Sequence, residues 1–203
     1  MSRLQWAREI LGLAQAGLAY SNNVFDTQRY QRLQEMAAEM LAPYTDRPAE
    51  ELLAFLKAEA GYPTPKIDVR AVVFKDEQIL LVQEMTDGGW SLPGGWADQG
   101  ESPSEMAIRE TREEAGFDVR AVKLLAIYDR NRHDHPHSIW DSYKIFVHCE
   151  LLGGTAQTSI ETSAVGFFSE DALPPLSTER ITEKQIRRMF EHLRNPDLPA
   201  DFD

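Results

Sequence analysis

Residues Gly94–Phe117, GGWADQGESPSEMAIRETREEAGF, crowd six carboxylates and four glycines into one short span. Two readings are open at the outset: a charged loop running into a solvated helix, or a device for holding a metal ion. The helix itself is well marked. Ser102 is an N-cap, Pro103 sits at the first helical position, Glu105 completes a capping box, and Gly116 is a C-terminal stop. At about 100° per residue, Glu110, Glu113 and Glu114 share one face, beside a small, mostly apolar strip of Ala107, Ile108, Thr111 and Ala115. Three like charges this close raise one another's pKa unless a cation intervenes. An all-oxygen donor set suits a hard cation such as Mg2+ or Mn2+, which recruits substrate phosphate oxygens as further ligands. Gly94 and Gly95 would let backbone carbonyls approach the same ion. On the other side, Arg109 and Glu113 make an ordinary i, i+4 pair, and a charge run taken alone usually marks a solvated face.

The chain around this span has 203 residues, 42% hydrophobic and 27% charged, with a formal net charge of −12. That composition builds a real core and excludes wholesale disorder. The negative field disfavours a general nucleic-acid or anionic-membrane binder, so long RNA is not a favoured partner. A small phosphate ligand stays open, because a bound cation reverses the local sign of the potential. Cys149 is the single cysteine; it excludes a disulfide framework within one chain and fits a cytoplasmic setting. No run approaches the roughly 18 apolar residues of a membrane span.

Residues 1–63 read as helices only. Leu4, Ala7, Leu11, Ala14 and Leu18 mark one face of the first, with Trp6, Ile10 and Leu13 as a second stripe. The second helix starts near Asp26 as its N-cap, and the third runs from Pro48 to Ala60. Three helices of this size bury little surface alone, so they are expected to pack on the rest of the chain or to form a homodimer. GYPTPK, Gly61–Lys66, is the domain boundary, and residues 64–203 change to strands. KIDVRAVVFK alternates, with Ile67, Val69, Ala71 and Val73 on one face, and ILLVQE returns as its hairpin partner across KDEQ. VKLLAIYD, DSYKIFVHCELL and the short GFFS are further strands, and the last helix spans Thr182–Arg194. Strands mixed with two separated helices predict an α/β (α+β) sandwich preceded by a small all-helical N-terminal domain.

The spacing of the opening span decides between its two readings. Gly95, Glu101, Arg109-Glu110, Glu113-Glu114 and Gly116-Phe117 resemble the Nudix box, G-x5-E-x7-R-E-U-x-E-E-x-G-U, with Thr111 as the one departure, where a bulky apolar residue is expected. DVRAVVF, WSLPGGWADQGESPSE, LLAIYDRNRH, IETSAVGFFS and FEHLRNPDLPADFD are similar to the CDP-choline pyrophosphatase subfamily; Ala164 stands where that pattern commonly has an acidic residue. The resemblance implies a Nudix α/β/α sandwich with a mixed sheet. It also implies metal-dependent hydrolysis of a nucleoside diphosphate conjugate, with CDP-choline giving CMP and phosphocholine. Glu110, Glu113, Glu114 and the Gly95 carbonyl would hold Mg2+ or Mn2+, Glu113 or Glu161 would serve as general base, Glu101 would assist, and Arg109 would orient the carboxylates. The alternatives are ADP-ribose, another nucleotide sugar or an RNA end, or a non-catalytic nucleotide sensor.

Residues outside the span are candidates for choosing the substrate. Trp96 is placed either to stack on a base or to cap the core. Arg70, mid-strand on the polar side, meets either a phosphate or a surface carboxylate. The loop DRNRHDHPHS, Asp129–Ser138, either offers Arg130 and His137 to a phosphate or a choline group or is a plain solvated loop. Its histidines lack the cysteine or carboxylate pattern of a closed zinc site. Tyr128, Trp140 and Tyr143 are aromatic faces available to a quaternary ammonium.

Overall fold

The structure, a computed structural model, describes residues 2–203. The chain forms two compact units: residues 66–136 with 142–203, and residues 1–65 with 137–141. The helical unit thus ends at Pro65 and takes in a short segment from far down the chain. Among the described residues no helix is long and apolar enough to cross a membrane.

The helical unit contains α1 (Arg3–Tyr20), α2 (Val24–Leu41) and α3 (Ala49–Ala58). Helix α2 begins before Asp26, because the Asn23 side chain takes the Phe25 N–H at 2.9 Å. Asp26 falls instead in the first turn, where its charge favours the helix N-terminus. Leu4, Ala7, Leu11, Ala37, Ala38, Leu41, Leu52 and Leu56 form the unit's core, with Ile139 and Trp140 packed against it. The 137–141 segment is held by edge-on contacts of Trp140 with Phe55 and of His137 with Tyr44, and by Arg8, which reaches Asp141 at 3.4 Å. Of the expected second stripe, Trp6 and Leu13 stay exposed, as does Tyr20, whereas Ile10 is partly buried against the unit's core.

The second unit is a sandwich. Strands β1 (Lys66–Lys75), β2 (Gln78–Glu84), β3 (Trp90–Ser91), β4 (Gly94–Trp96), β5 (Phe117–Asp129), β6 (Ser142–Gly154), β7 (Thr162–Phe168) and β8 (Asp201–Phe202) form one mixed sheet. Its order is β3-β2-β1-β6-β5-β8, with β4 on β1 and β7 on β2. Only the β1–β6 and β5–β8 pairs are parallel. The β1–β2 hairpin turns through Asp76 and Glu77, both at positive φ, which matches the right-handed twist of the flanking strands. Helix α4 (Pro103–Ala115) lays Met106, Ala107 and Ala115 on one face of the sheet, against Val69, Ala71, Val73 and Val147. Helix α5 (Glu183–Arg194) lays Ile186, Met189 and Phe190 on the other, against Val72, Phe146 and Tyr128.

Strand β1 therefore has no solvent face. It runs between β4 and β2 on one side and β6 on the other, with both faces covered, and the residues from Val69 to Val73 are all buried. The alternation of KIDVRAVVFK holds as geometry, yet the even positions Asp68 and Arg70 are interior rather than surface residues.

Both ends of α4 are fixed locally. Ser102 accepts from the Glu105 N–H and Glu105 answers to the Ser102 N–H at 2.9 Å. Gly116 closes the helix in the left-handed region at φ 76°, and a Cβ there would lie 2.4 Å from the Thr155 carbonyl oxygen. Gly116→Ala is expected to lower stability by about 1–3 kcal/mol, measured by urea denaturation; an unchanged midpoint would show that the helix end has room to shift.

Candidate active site

The turn between β3 and α4 is built around Gly94. Its φ is 127°, and an added Cβ would stand 2.0 Å from the Val69 carbonyl oxygen. Only glycine lets β4 lie this close to β1, with Gly95 opposite Val69 and Gly94 opposite Arg70. The Gly94 N–H is turned toward α4 and donates to Glu114 Oε2 at 2.8 Å. Thr162 Oγ1 donates to the Glu114 carbonyl at 2.9 Å, tying β7 to the same helix turn. Thr111 is fully buried, and its hydroxyl is spent on the Ala107 carbonyl at 2.7 Å, so this departure from the expected apolar residue leaves no unpaired polar group in the packed face.

Two helix carboxylates, Glu110 and Glu113, and two from the loop before it, Asp98 and Glu101, share one arginine. Arg109 binds Glu101 through Nε and Nη2 at 2.8–3.0 Å, Glu113 at 2.9 Å, Glu110 at 2.8 Å and Asp98 at 3.2 Å. These bonds hold its guanidinium charged far above the physiological range. Glu114 lies outside that fan and is only 7% exposed. Burial, reinforced by the Glu110 and Glu84 charges and opposed by the Gly94 N–H and by Arg70, pushes its carboxyl up to about 7. Burial also raises Glu110, against the pull of Arg109, with Glu113 and Glu161 adding repulsion. Glu161, exposed just before β7, is thus near enough for its charge to act on Glu110.

These residues fit a hard divalent cation. Every donor is an oxygen, Glu110 and Glu114 stand one helical turn apart, and burial raises both carboxyls, so added positive charge there is stabilising. Among the described residues no three acidic, histidine or cysteine side chains converge as placed. Arg109 stands among Glu101, Glu110 and Glu113, so an ion taken by Glu110 and Glu114 competes with Arg109 for Glu110.

The candidates outside the helix disperse. Trp96 is 55% exposed at the end of β4, free to receive a flat group. Arg70 is 4% exposed, and its guanidinium is spent on Asp68 at 2.7 Å and on the Leu92 carbonyl at 2.9 Å. It therefore stands in neither of its expected settings, at a phosphate or in a surface salt bridge. Tyr128 is likewise buried; it donates to Asp201 at 2.8 Å and makes tilted ring contacts with Phe146 and His133, so it anchors the C-terminal segment. Arg130 is buried against Glu179 and donates to the Pro136 carbonyl at 2.8 Å. The three loop histidines part company: His133 meets Asp203, His135 the Thr178 carbonyl, and His137 lies in the helical unit. The loop gathers no metal ligands.

Residues that sequence reasoning passed over complete the surroundings. Glu84 is buried at the end of β2, accepts from Ser91 Oγ at 2.6 Å and pairs with Arg180 at 3.2 Å. Asp68 is bound by both Arg70 and Lys144; burial alone would raise its carboxyl, and the two cations hold it below the usual range. Burial brings Lys144 down to about 8. No local pattern distinguishes these charges from solvated strand residues; only the two-sided cover of the sheet makes them interior.

Comparison with known proteins agrees with the geometry. A NUDIX domain model matches residues 64–190, and a model described as a UDP-X-like, N-terminal oligomerisation domain matches residues 2–56. The chain belongs to the Nudix hydrolases and is a pyrophosphohydrolase. It is 46% identical over 200 residues to YjhB of Bacillus subtilis (strain 168), covering 98% of this chain and 96% of that one; the name of YjhB ascribes ADP-ribose pyrophosphatase activity to it. A crystal structure of a UDP-X diphosphatase aligns over 100% of both chains, at 33% identity and a TM-score of 0.65. The crystal structure of an ADP-ribose pyrophosphatase from Streptococcus suis 89-1591 is 44% identical, covers 69% of this chain and 100% of its own, and has a TM-score of 0.64.

Glu114 supplies a pH-dependent test in metal-free protein. Burial pushes its carboxyl up to about 7 in the folded state, well above the ordinary value of a glutamate in an unfolded chain. Stability is therefore lost as pH rises through this window, because the unfolded chain releases the proton first. Glu114→Gln keeps the acceptor for Gly94 and removes the charge. At about pH 8 in chelator it should exceed wild type by about 2–3 kcal/mol in urea denaturation, with the gap closing near pH 4. Equal stability at both pH values would place Glu114 in a solvated setting.

Proposed function

We infer that the chain hydrolyses the diphosphate linkage of a nucleoside diphosphate bearing a second group, with ADP-ribose or a UDP-linked conjugate as substrate. The observation that carries this reading is the paired Glu110 and Glu114, one buried and one half-buried, set against the Gly94–Gly95 backbone and flanked by the Arg109 fan. Support for the substrate class comes from the relatives that match nearly the whole chain, which are named for ADP-ribose and UDP-X. The CDP-choline expectation rests on the quoted sequence segments alone, and CDP-choline enters as one arm of the test.

In this reading Glu110, Glu114 and the Gly95 carbonyl hold Mg2+ or Mn2+. When bound, the ion supplies neutralisation of charge on the diphosphate and a water of lowered pKa. Glu114 is kept in place by Gly94 and by the Thr162 bond to its backbone. Arg109 holds Glu101 and Glu113 in fixed directions and limits their mutual repulsion. Exposed Trp96 offers a face to the base. In this reading two carboxylates are the candidates to accept the proton from water: Glu113, exposed and tethered to Arg109, and Glu161, whose charge acts on Glu110. Water adds across the P–O–P bridge, leaving a nucleoside monophosphate and a phosphorylated second group.

The helical unit serves in this reading as a homodimer contact. Trp6, Leu13 and Tyr20 recur every seven residues along α1, and Leu13 and Tyr20 are 62% and 71% exposed. This apolar stripe lies within the segment matched by the oligomerisation-domain model.

A panel of ADP-ribose, UDP-sugars, CDP-choline and short capped RNA, with Mg2+ or Mn2+ and product detection, tests the substrate class. Glu114→Gln should lower kcat at least about 100-fold, and whichever of Glu113→Gln and Glu161→Gln falls by about 100- to 10,000-fold marks the base. Wild-type turnover in all three would remove this site from the chemistry. Leu13→Lys with Tyr20→Ser should convert a dimer to a monomer in sedimentation at micromolar protein; an unchanged mass would rule the α1 stripe out as the contact.

A further inference from the structure

The buried charges around Arg70 are costly to desolvate, and they are arranged about one short piece of chain. Arg70 donates Nη1 to the Leu92 carbonyl at 2.9 Å while its Nε binds Asp68 at 2.7 Å. Asp68 in turn is bound by the fully buried Lys144 from the neighbouring strand β6. The next link is backbone: the Ala71 N–H donates to the Pro93 carbonyl at 2.9 Å. From the other side, buried Glu84 accepts from Ser91 Oγ at 2.6 Å, and Arg180 holds Glu84 at 3.2 Å. Ser91 and Leu92 are thus gripped from two strands by the buried side chains of Glu84 and Arg70, just before Gly94 presents its N–H to Glu114 at 2.8 Å.

A surface salt bridge would need none of this, and a purely apolar core would pack β1 without three ionised side chains in it. The groups that grip the turn are also oriented by others: Asp68 and Lys144 fix the Arg70 fork, and Arg180 fixes Glu84. This matches the way outer residues orient the ligands of a metal site.

We propose that Arg70 is a positioning residue of the active site: anchored by Asp68 and Lys144, it clamps the Leu92 carbonyl and so sets the Gly94 N–H and the Gly95 backbone against Glu114. Arg70 touches neither substrate nor ion in this role. The inference rests on the reading of Glu110 and Glu114 as metal ligands, and the test keeps the two apart.

Arg70→Lys retains the charge and loses the fork that spans Asp68 and Leu92 together. Three measurements follow. In metal-free protein, the Gly94 amide should exchange with solvent at least about 10-fold faster than in wild type, read by NMR, because its bond to Glu114 is no longer held. Mn2+ affinity without substrate, read by EPR of the free ion, should fall about 10- to 100-fold. With ADP-ribose, kcat should fall in step with metal occupancy while KM stays within about two-fold. Unchanged Gly94 exchange with unchanged Mn2+ affinity overturns the proposal, and so does a change confined to KM, which would put Arg70 at the substrate. If Arg70→Lys does not fold, Asp68→Asn weakens the same anchor with little change of shape; it should show the same pattern more weakly, and wild-type values in all three measurements overturn the proposal. Failure of wild-type protein to bind Mn2+ would instead defeat the metal-ligand reading of Glu110 and Glu114.

Discussion

The close approach of Gly94 to β1 is the constraint on which the catalytic half of the molecule depends. With the Val69 carbonyl oxygen where a Cβ would need to be, the chain leaves β3 flat against β1 and turns its amide toward α4. Everything downstream inherits that placement. Helix α4 can start only after the Asp98–Glu101 loop, and its capping box then fixes which residues fall on the face toward Gly94. Glu114 is the residue so aimed, three turns from Ser102, and the Gly116 stop keeps the helix from running past it. One hydrogen bond of ordinary length joins a turn and a helix whose relative register sets the distance between backbone and carboxylate.

Charge in this protein is sorted by burial rather than by sequence position. The formal balance is −12, yet Arg70 and Lys144 are packed inside the sheet with Asp68 between them, and Arg130 is buried just beyond β5 against the exposed Glu179. The carboxylates left at the cleft either share Arg109 or, like Glu114, carry the cost of burial. An acidic molecule acting on an anionic substrate gains from a bound cation, and in the proposed reading such an ion supplies the positive charge at the diphosphate.

Much of this was legible in the sequence, for identifiable reasons. The limits of α4 are written in Ser102, Pro103, Glu105 and Gly116, residues whose effects are local. The expected span of α5, Thr182–Arg194, is matched to within a residue, with Thr182 itself serving as the N-cap. The sandwich itself follows from periodicity, and the helical face carrying Glu110 and Glu114 from simple angular spacing. The reading faltered where burial depends on what lies across the sheet. Arg70 and Asp68 look like the wet side of an alternating strand, and Tyr128 and Arg130 like loop-edge residues open to a ligand; a second helix and the C-terminal segment close over them. Glu84 gives no local sign that it faces Ser91 and Arg180. Charged residues made interior by tertiary cover cannot be told from exposed ones by pattern alone.

The segment His137–Asp141 bears on modularity. The chain passes between its two units at Pro65, again at Pro136, and again at Asp141, so the helical unit is not a contiguous block of sequence. Ile139 and Trp140 help to complete the packing around Leu4, Leu11 and Leu52. A graft of the N-terminal helices alone onto another chain would leave Ile139 and Trp140 behind and expose the part of the helical core that they cover.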